Sequence, residues 1–209
     1  MRKAIWVTCV VLFALFAAGA HADDIEGTGT NFFGSTQITN FSEIPLLANT
    51  PVTTQYAGLG ITFSPGVFYD PQNGTEFGLP LNDVGNYQDF STAHVDPVTI
   101  NFSQVQTGVE FLMAADGTPY LFEALNGGQA VDFFTTTVNS PALFYGFFNV
   151  PFDQIEISQA GTGGGPYWLI SDIETGVAPA PEPPSLALLG IGLLGLAPAV
   201  RWRLPKPQR

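Results

Sequence analysis

The residues of this sequence that are best suited to chemistry are its carboxylates. Asp172 and Glu174 lie two positions apart near the end of an apolar run, and Asp83 and Asp89 lie in a loop-rich stretch. Calcium takes six to eight oxygen ligands from carboxylates, backbone carbonyls and water, and it needs no basic residue beside it. Asp172 and Glu174 are therefore candidate calcium ligands, with Asp83 and Asp89 as a second candidate pair. No D-x-D-x-D-G loop is present, so a solvated acidic surface is the simpler interpretation.

Catalysis has weaker support in the sequence. His94 has Ser91 and Asp96 close by, but members of a Ser-His-Asp triad are rarely neighbours in sequence, and no nucleophile-elbow motif occurs. Glycoside hydrolysis needs two carboxylates at a defined separation, and nothing singles out one pair among 18 acidic residues. The sequence therefore predicts a non-catalytic protein, with a glycoside hydrolase as the least favoured alternative.

Two adjacent aromatic residues, Tyr167 and Trp168, could stack on a sugar ring. Adjacent residues of a strand point to opposite faces, so at most one of them serves any one surface. Trp168 is the candidate ligand-binding residue, and a place in the hydrophobic core is its simpler interpretation.

The basic residues are confined to the two ends of the chain. All six Lys and Arg residues lie at positions 2–3 and 201–209, whereas all 18 acidic residues lie between Asp23 and Pro183. That interval alone has 18 acidic and no basic side chains, which gives a formal charge of −18, compared with −12 for the whole chain. A domain without cations cannot neutralise phosphates, so nucleic acid is excluded as a partner.

The central part of the chain is predicted to be all-β. Gly-rich turns separate short runs of β-branched and aromatic residues, among them Asp116-Gly117 and Asn126-Gly127-Gly128, and Asn126-Gly127 is a hairpin signal. Eight or so strands in about 150 residues suit a single β-sandwich of jelly-roll type over residues 23–177. The predicted strands are 60–64, 98–102, 109–113, 120–125, 131–138, 143–148, 154–158 and 167–173, and residues 65–96 are predicted to be rich in loops.

The N-terminus has the three parts of a secretion signal over residues 1–22. Arg2 and Lys3 precede an apolar run, which ends in Ala20-His21-Ala22. This order matches a basic region, a hydrophobic region and an A-x-A cleavage site, so signal peptidase is expected to cut after Ala22. The single cysteine lies inside this segment, at Cys9, which leaves the exported part without a disulfide.

The C-terminal residues 178–209 form a second processing segment. A Pro-rich spacer contains Pro181-Glu182-Pro183, and an apolar stretch over residues 186–200 follows it. The stretch is short for a membrane span, and the flanking Arg201 and Arg203 could extend it by snorkelling. Basic residues after a span favour a cytoplasmic C-terminus, which leaves the domain outside the inner membrane.

This tail resembles the PEP-CTERM sorting signal of Gram-negative bacteria, which is also known as the ice-binding-protein C-terminal domain. The resemblance rests on Pro181-Glu182-Pro183, on the Leu- and Gly-rich segment LALLGIGLLGL and on the Arg-containing end. It implies processing by an exosortase, a membrane-embedded protease, and an association with exopolysaccharide and biofilm. The domain also resembles other PEP-CTERM ectodomains through its GITF, PVTINF and FDQIEI strands.

These observations predict an exported protein that is tethered to the inner membrane as a precursor and then reaches the cell surface or extracellular matrix. A non-catalytic matrix protein that contacts exopolysaccharide is the first hypothesis. A carbohydrate-binding module with a structural calcium ion is the alternative.

Overall fold

The computed structural model describes residues 23–33, 37–88, 94–161 and 167–176. All of them belong to the first of two compact units, Met1–Ala178, and the second unit is Pro179–Arg209. Within the described ranges no helix has the length and apolar character needed to cross a membrane. The predicted signal peptide, the Pro181-Glu182-Pro183 motif, the 186–200 span and Arg201 and Arg203 lie outside the described residues.

The described part of the chain is almost entirely β-sheet, so the prediction of an all-β domain is confirmed. Its only helical pieces are two short 3₁₀ segments, Ala57–Leu59 and Asn73–Phe77. Ten strands follow one another in the order β1 (Asp23–Thr28), β2 (Gln37–Thr39), β3 (Ile61–Phe63), β4 (Phe68–Asp70), β5 (Asp83–Gly85), β6 (Val98–Ala115), β7 (Thr118–Asn126), β8 (Gln129–Val138), β9 (Leu143–Gln159) and β10 (Trp168–Thr175).

The two longest strands, β6 and β9, pair with each other and belong to both parts of the sheet. The first part of β6 pairs with the last part of β9, and this pair is flanked by β3 on one side and by β7 and β8 on the other. We call this part the β8 layer. The remaining parts of β6 and β9 pair with β1 on one side and with β10 on the other, and β10 continues to β2, β5 and β4. We call this part the β10 layer.

The two layers pack face to face through aromatic side chains. Phe122 of the β8 layer stacks on Tyr145 of the β10 layer with 5.5 Å between ring centroids, and its ring lies 6.0 Å from that of Phe111. All three side chains are fully buried. Burial of such large rings is the main favourable contribution to folding in a domain without disulfides or basic residues.

Bulges allow β6 and β9 to serve both layers. The sequence predicted separate strands at 98–102 and 109–113 and at 143–148 and 154–158, but each pair is one strand. The pairing register of β6 with β9 shifts between Asn101 and Gly108. An irregular ladder lies there in place of the break between separate strands that the sequence predicted. The same bulge explains why Phe152 and Ile155, three positions apart, are both fully buried.

The Asn126 hairpin is confirmed, but its turn lies one residue later than the sequence signal indicated. Asn126 pairs with Gln129, so the two turn residues are Gly127 and Gly128, at φ values of 58° and 78°. Positive φ at both central positions is the geometry that a two-residue hairpin turn requires.

Four strands lie where the sequence predicted none. β1 and β2 have one buried residue each, so they lack the alternation that marks a strand, and they form by pairing with β9 and β10. β4 and β5 lie within the predicted loop-rich stretch 65–96 and have three residues each.

Candidate functional site

Trp168 is a core residue and not a surface platform. It is 1% exposed, and its backbone N–H donates to Asn86 Oδ1 at 3.1 Å. A tryptophan that stacks on a sugar must present a ring face to solvent, so the structure corrects the proposal of Trp168 as the sugar-stacking residue. Its neighbour Tyr167 is only half-buried.

Tyr167 belongs to a group of aromatic side chains on the outer face of the β10 layer. Its ring meets Tyr87 edge-on with centroids 5.3 Å apart and meets His94 edge-on at 5.9 Å. Tyr87 and His94 are held together by an isolated antiparallel β-bridge. Tyr87 lies two residues after the end of β5, and Tyr167 directly precedes β10, so two neighbouring strands position the two tyrosines.

The rings of Tyr87 and Tyr167 border a concave pocket of about 170 Å³, which we call the aromatic pocket. Ala114 and Leu169, which are partners in the β6–β10 register, also line it. The small side chain of Ala114 leaves space that a larger residue would fill. The residues that line the pocket are Phe77, Tyr87, Ala114, Ala115, Asp116, Tyr167, Trp168 and Leu169.

The aromatic pocket suits a small ligand with an apolar face. Binding sites for drug-sized ligands have volumes of roughly 300–1,000 Å³, so a smaller pocket fits about one ring of a larger molecule. The surface of the pocket is almost entirely apolar, although Asp116 is among its lining residues. The Asp116 carboxylate accepts a hydrogen bond from Thr118 Oγ1 at 2.8 Å. Aromatic faces with a few polar groups at the edge can bind a sugar, which has apolar C–H faces and a polar rim.

Sequence reasoning identified Tyr167 but missed Tyr87 and Phe77, which lie far from it in the chain. Both lie in the stretch predicted as loop-rich, and their spacing shows no strand or helix period. The pairing of β5 with β10 brings Tyr87 beside Tyr167. A hydrogen bond from the Ala142 N–H to the Phe77 carbonyl holds Phe77 next to the start of β9.

The described residues give no support to a Ser-His-Asp triad that contains His94. His94 is exposed and contacts Tyr167, and the Asp96 carboxylate accepts a hydrogen bond from the backbone N–H of Gln159 at 2.9 Å. Ser91 lies outside the described residues.

The candidate calcium ligands lie in different surroundings from one another. Asp172 is half-buried and has a left-handed backbone conformation, with φ of 44°. Burial raises its pKa, and the charge of Glu174 adds to the rise. Glu174 itself pairs across the ladder with Glu110. Asp89 lies outside the described residues, and no group of three or more His, Cys, Asp or Glu side chains is placed to hold a metal in the part of the chain that the structure describes.

Asp83 differs from the other acidic residues because it is fully buried and neither carboxylate oxygen makes a hydrogen bond of good geometry. Burial raises its pKa to about 8, with the charges of Asp70 and Asp172 adding to the rise, while the nearby backbone N–H of Gly74 opposes it. From the sequence, Asp83 was predicted to pair with Asp89 as a calcium ligand. The structure instead brings Asp83 near Asp70 and Asp172.

Glu110 shows how this domain holds a buried carboxylate without basic residues. Its two oxygens accept hydrogen bonds from the backbone N–H groups of Phe32 and Phe33 at 2.8–2.9 Å. Burial raises its pKa, and these hydrogen bonds lower it again. The carboxylate thereby attaches the segment after β1 to the outer face of β6.

No protein-family model matches the chain, and no curated protein matches it significantly. Among solved structures, the K2 cleaved adhesin domain of Lys-gingipain is similar, with 14% identity and a TM-score of 0.40, over 68% of this chain and 99% of that one. A family 29 carbohydrate-binding module is similar with 19% identity and a TM-score of 0.34, over 76% of this chain and 92% of that one. The function must therefore be inferred from the side chains of this chain.

Proposed function

We propose that this chain is an exported, non-catalytic cell-surface or matrix domain that binds carbohydrate through the aromatic pocket. The observation that carries the proposal is the half-buried ring of Tyr167, which meets the Tyr87 ring at a pocket of about 170 Å³ and has His94 against it. Stacking of a sugar on an aromatic ring needs a partly exposed face that neighbouring groups hold in place. We also propose that the strands of the two layers have jelly-roll connectivity.

The charge of the domain selects among carbohydrates. Residues 23–177 contain no Lys or Arg, so an acidic polysaccharide would meet repulsion without any compensating ion pair. A neutral polysaccharide avoids this cost. We therefore infer that the ligand is a neutral exopolysaccharide, and that its binding changes little with salt concentration.

The lining of the aromatic pocket supports binding in preference to hydrolysis. A glycoside hydrolase places two carboxylates on opposite sides of the scissile bond, about 5–9 Å apart. Among the described residues that line the pocket, Asp116 is the only carboxylate.

The test is the binding of the full chain to neutral and acidic glycans, compared between Tyr167→Ala and the wild type. Because stacking on one ring contributes about 1 kcal/mol or more, the substitution should weaken binding to a neutral glycan about tenfold. Phe133→Ala is the matched control, since Phe133 is 66% exposed on β8, in the other layer. Equal binding by Tyr167→Ala and the wild type would place the ligand elsewhere or remove the function.

The proposal includes the route to the cell surface. Signal peptidase would remove residues 1–22, the segment 186–200 would hold the precursor in the inner membrane, and an exosortase-like protease would act near Pro181-Glu182-Pro183. The order of these sequence features and the strictly acidic domain between two basic ends support this route.

A further inference from the structure

The ladder of hydrogen bonds along one side of β10 is interrupted. Leu169 and Ile170 pair with β5, whereas Ile173 to Thr175 pair with β2. Ser171 and Asp172 lie between these two partners, and the register with β6 on the other side also shifts between Ser171 and Glu174. The left-handed conformation of Asp172 accommodates this bulge.

Asp83 lies at the same break because it is the first residue of β5. It pairs directly with Asp70 of β4, and residues that pair directly in an antiparallel ladder place their side chains on one face. One further step in the β5–β10 register puts Asp83 opposite Ser171. Two like charges opposite each other destabilise a sheet, so this pairing calls for a compensating partner.

Three buried oxygen atoms at this place make no hydrogen bond of good geometry. They are both carboxylate oxygens of Asp83, which is 0% exposed, and the hydroxyl of Ser171, which is also 0% exposed. The Gly74 N–H approaches the Asp83 carboxylate, and the Ser171 hydroxyl approaches the Asp172 carboxylate. Buried polar atoms without partners are rare and costly, and an ion is one way to satisfy them. Glu110, the other fully buried carboxylate, has backbone N–H donors for both its oxygens.

The chain covers the carboxylate of Asp83 with backbone. A Cβ at Gly74 would overlap that carboxylate, so the 3₁₀ segment Asn73–Phe77 approaches it as closely as only glycine permits. Carbonyl groups of such a turn are oxygen ligands of the kind that calcium prefers. The charges of Asp70 and Asp172 both act on Asp83.

We propose that the break between β5 and β2 binds one calcium ion, with the Asp83 carboxylate and the Ser171 hydroxyl as its side-chain ligands. Asp70 and Asp172 add negative charge around this site. Backbone carbonyls and water complete the shell, because the carboxylates alone do not supply three ligands at metal spacing. No Lys or Arg lies in residues 23–177 to take the place of the ion. The inference does not rest on carbohydrate binding.

The experiment uses the full chain in detergent solution after treatment with EDTA. Thermal unfolding is followed with CaCl₂, with MgCl₂ and with NaCl at matched ionic strength, and calcium binding is measured by titration calorimetry. Calcium should raise the Tm, since it binds the folded state only, and magnesium should raise it less because it demands stricter octahedral geometry. Asp83→Asn should weaken calcium binding at least tenfold.

The variants separate ion binding from simple charge removal. In EDTA, Asp83→Asn should melt at or above the wild type, because a neutral amide is less costly to bury than an unpaired carboxylate. Glu26→Gln, an exposed residue of β1 with the same change in charge, should keep the full calcium response. Asp172→Asn, at the half-buried side of the site, should lose affinity as Asp83→Asn does.

Three results would overturn the proposal. The first is no calcium heat and no shift in Tm for the wild type. The second is an equal shift with calcium, magnesium and NaCl, which would mean charge screening only. The third is a calcium response that both Asp83→Asn and Asp172→Asn retain in full.

Discussion

Asp24 of β1 and Asp132 of β8 bring two carboxyl groups close together. Partial burial raises the pKa of Asp24 to about 6, and the charges of Asp132, Glu26 and Asp23 add to the rise, as does a hydrogen bond to Asp132. A protonated Asp24 donates that hydrogen bond, whereas two ionised carboxylates repel each other.

This carboxyl pair predicts that stability depends on pH. Because the folded pKa of Asp24 lies above its usual value of 3.8, its contribution to stability is complete below about pH 4 and is lost as the pH rises through 6. Asp24→Asn should flatten this fall, since an amide donates at every pH. The measurement is Tm between pH 4 and pH 8, with Glu76→Gln, an exposed acid that does not act on Asp24, as the control. A fall of the same size in Asp24→Asn would contradict the prediction.

At the scale of one element, the β7–β8 hairpin depends on two glycines. Gly127 and Gly128 both have positive φ, and the Gly127 N–H donates to the Asp153 carboxylate at 3.1 Å. This bond links the turn to β9 next to the bulge that lets β9 serve both layers.

Gly128→Ala tests the conformation of the turn in isolation. No atom lies within 4 Å of a Cβ built at Gly128, so the cost comes from its φ of 78° alone and should be about 1–2 kcal/mol of unfolding free energy. Gly29→Ala is the control, because its added Cβ also meets nothing and its φ is not positive. Urea denaturation measures both variants. A loss at Gly128 no larger than at Gly29 would contradict the assigned turn.

The sequence allowed short parts of the long strands to be predicted because their apolar residues alternate, as in Val98, Ile100 and Phe102. It did not predict β1, because Asp23-Asp24-Ile25-Glu26 has a single buried residue and forms a strand only through pairing with β9. Local sequence contains no information about such a distant pairing partner. For the same reason, the bulges that join the predicted pieces of β6 and β9 were not predicted.

The candidate sites were also only partly predictable from the sequence. Tyr167 was recognisable as an aromatic residue next to a strand, but its partner Tyr87 is supplied by the β5–β10 pairing. Asp83 was predicted as a candidate calcium ligand together with Asp89, but its burial was not predictable, because it depends on the 3₁₀ segment that covers it.

At the scale of the whole molecule, the distribution of charge predicts what is isolated from the native host. Intact mass spectrometry of the purified protein should give a mass that starts at Asp23 and ends near Pro183. That product has a formal charge of −18, because all the basic residues leave with the two ends. A variant with Pro181-Glu182-Pro183 replaced by alanines should keep residues 184–209. A wild-type mass that still contains residues 184–209 would make the tail a permanent anchor.

Under the proposed export route, the order of strand pairing has a consequence for the timing of folding. β1 is the first strand of the chain, yet it pairs with β9, and β2 pairs with β10, which is the last strand. A chain that emerges from a translocation pore with its N-terminus first therefore has no partner for either strand until the far end of the domain has passed through. Contacts between residues this distant in sequence form slowly, which keeps the polypeptide threadable while it is still on the cytoplasmic side.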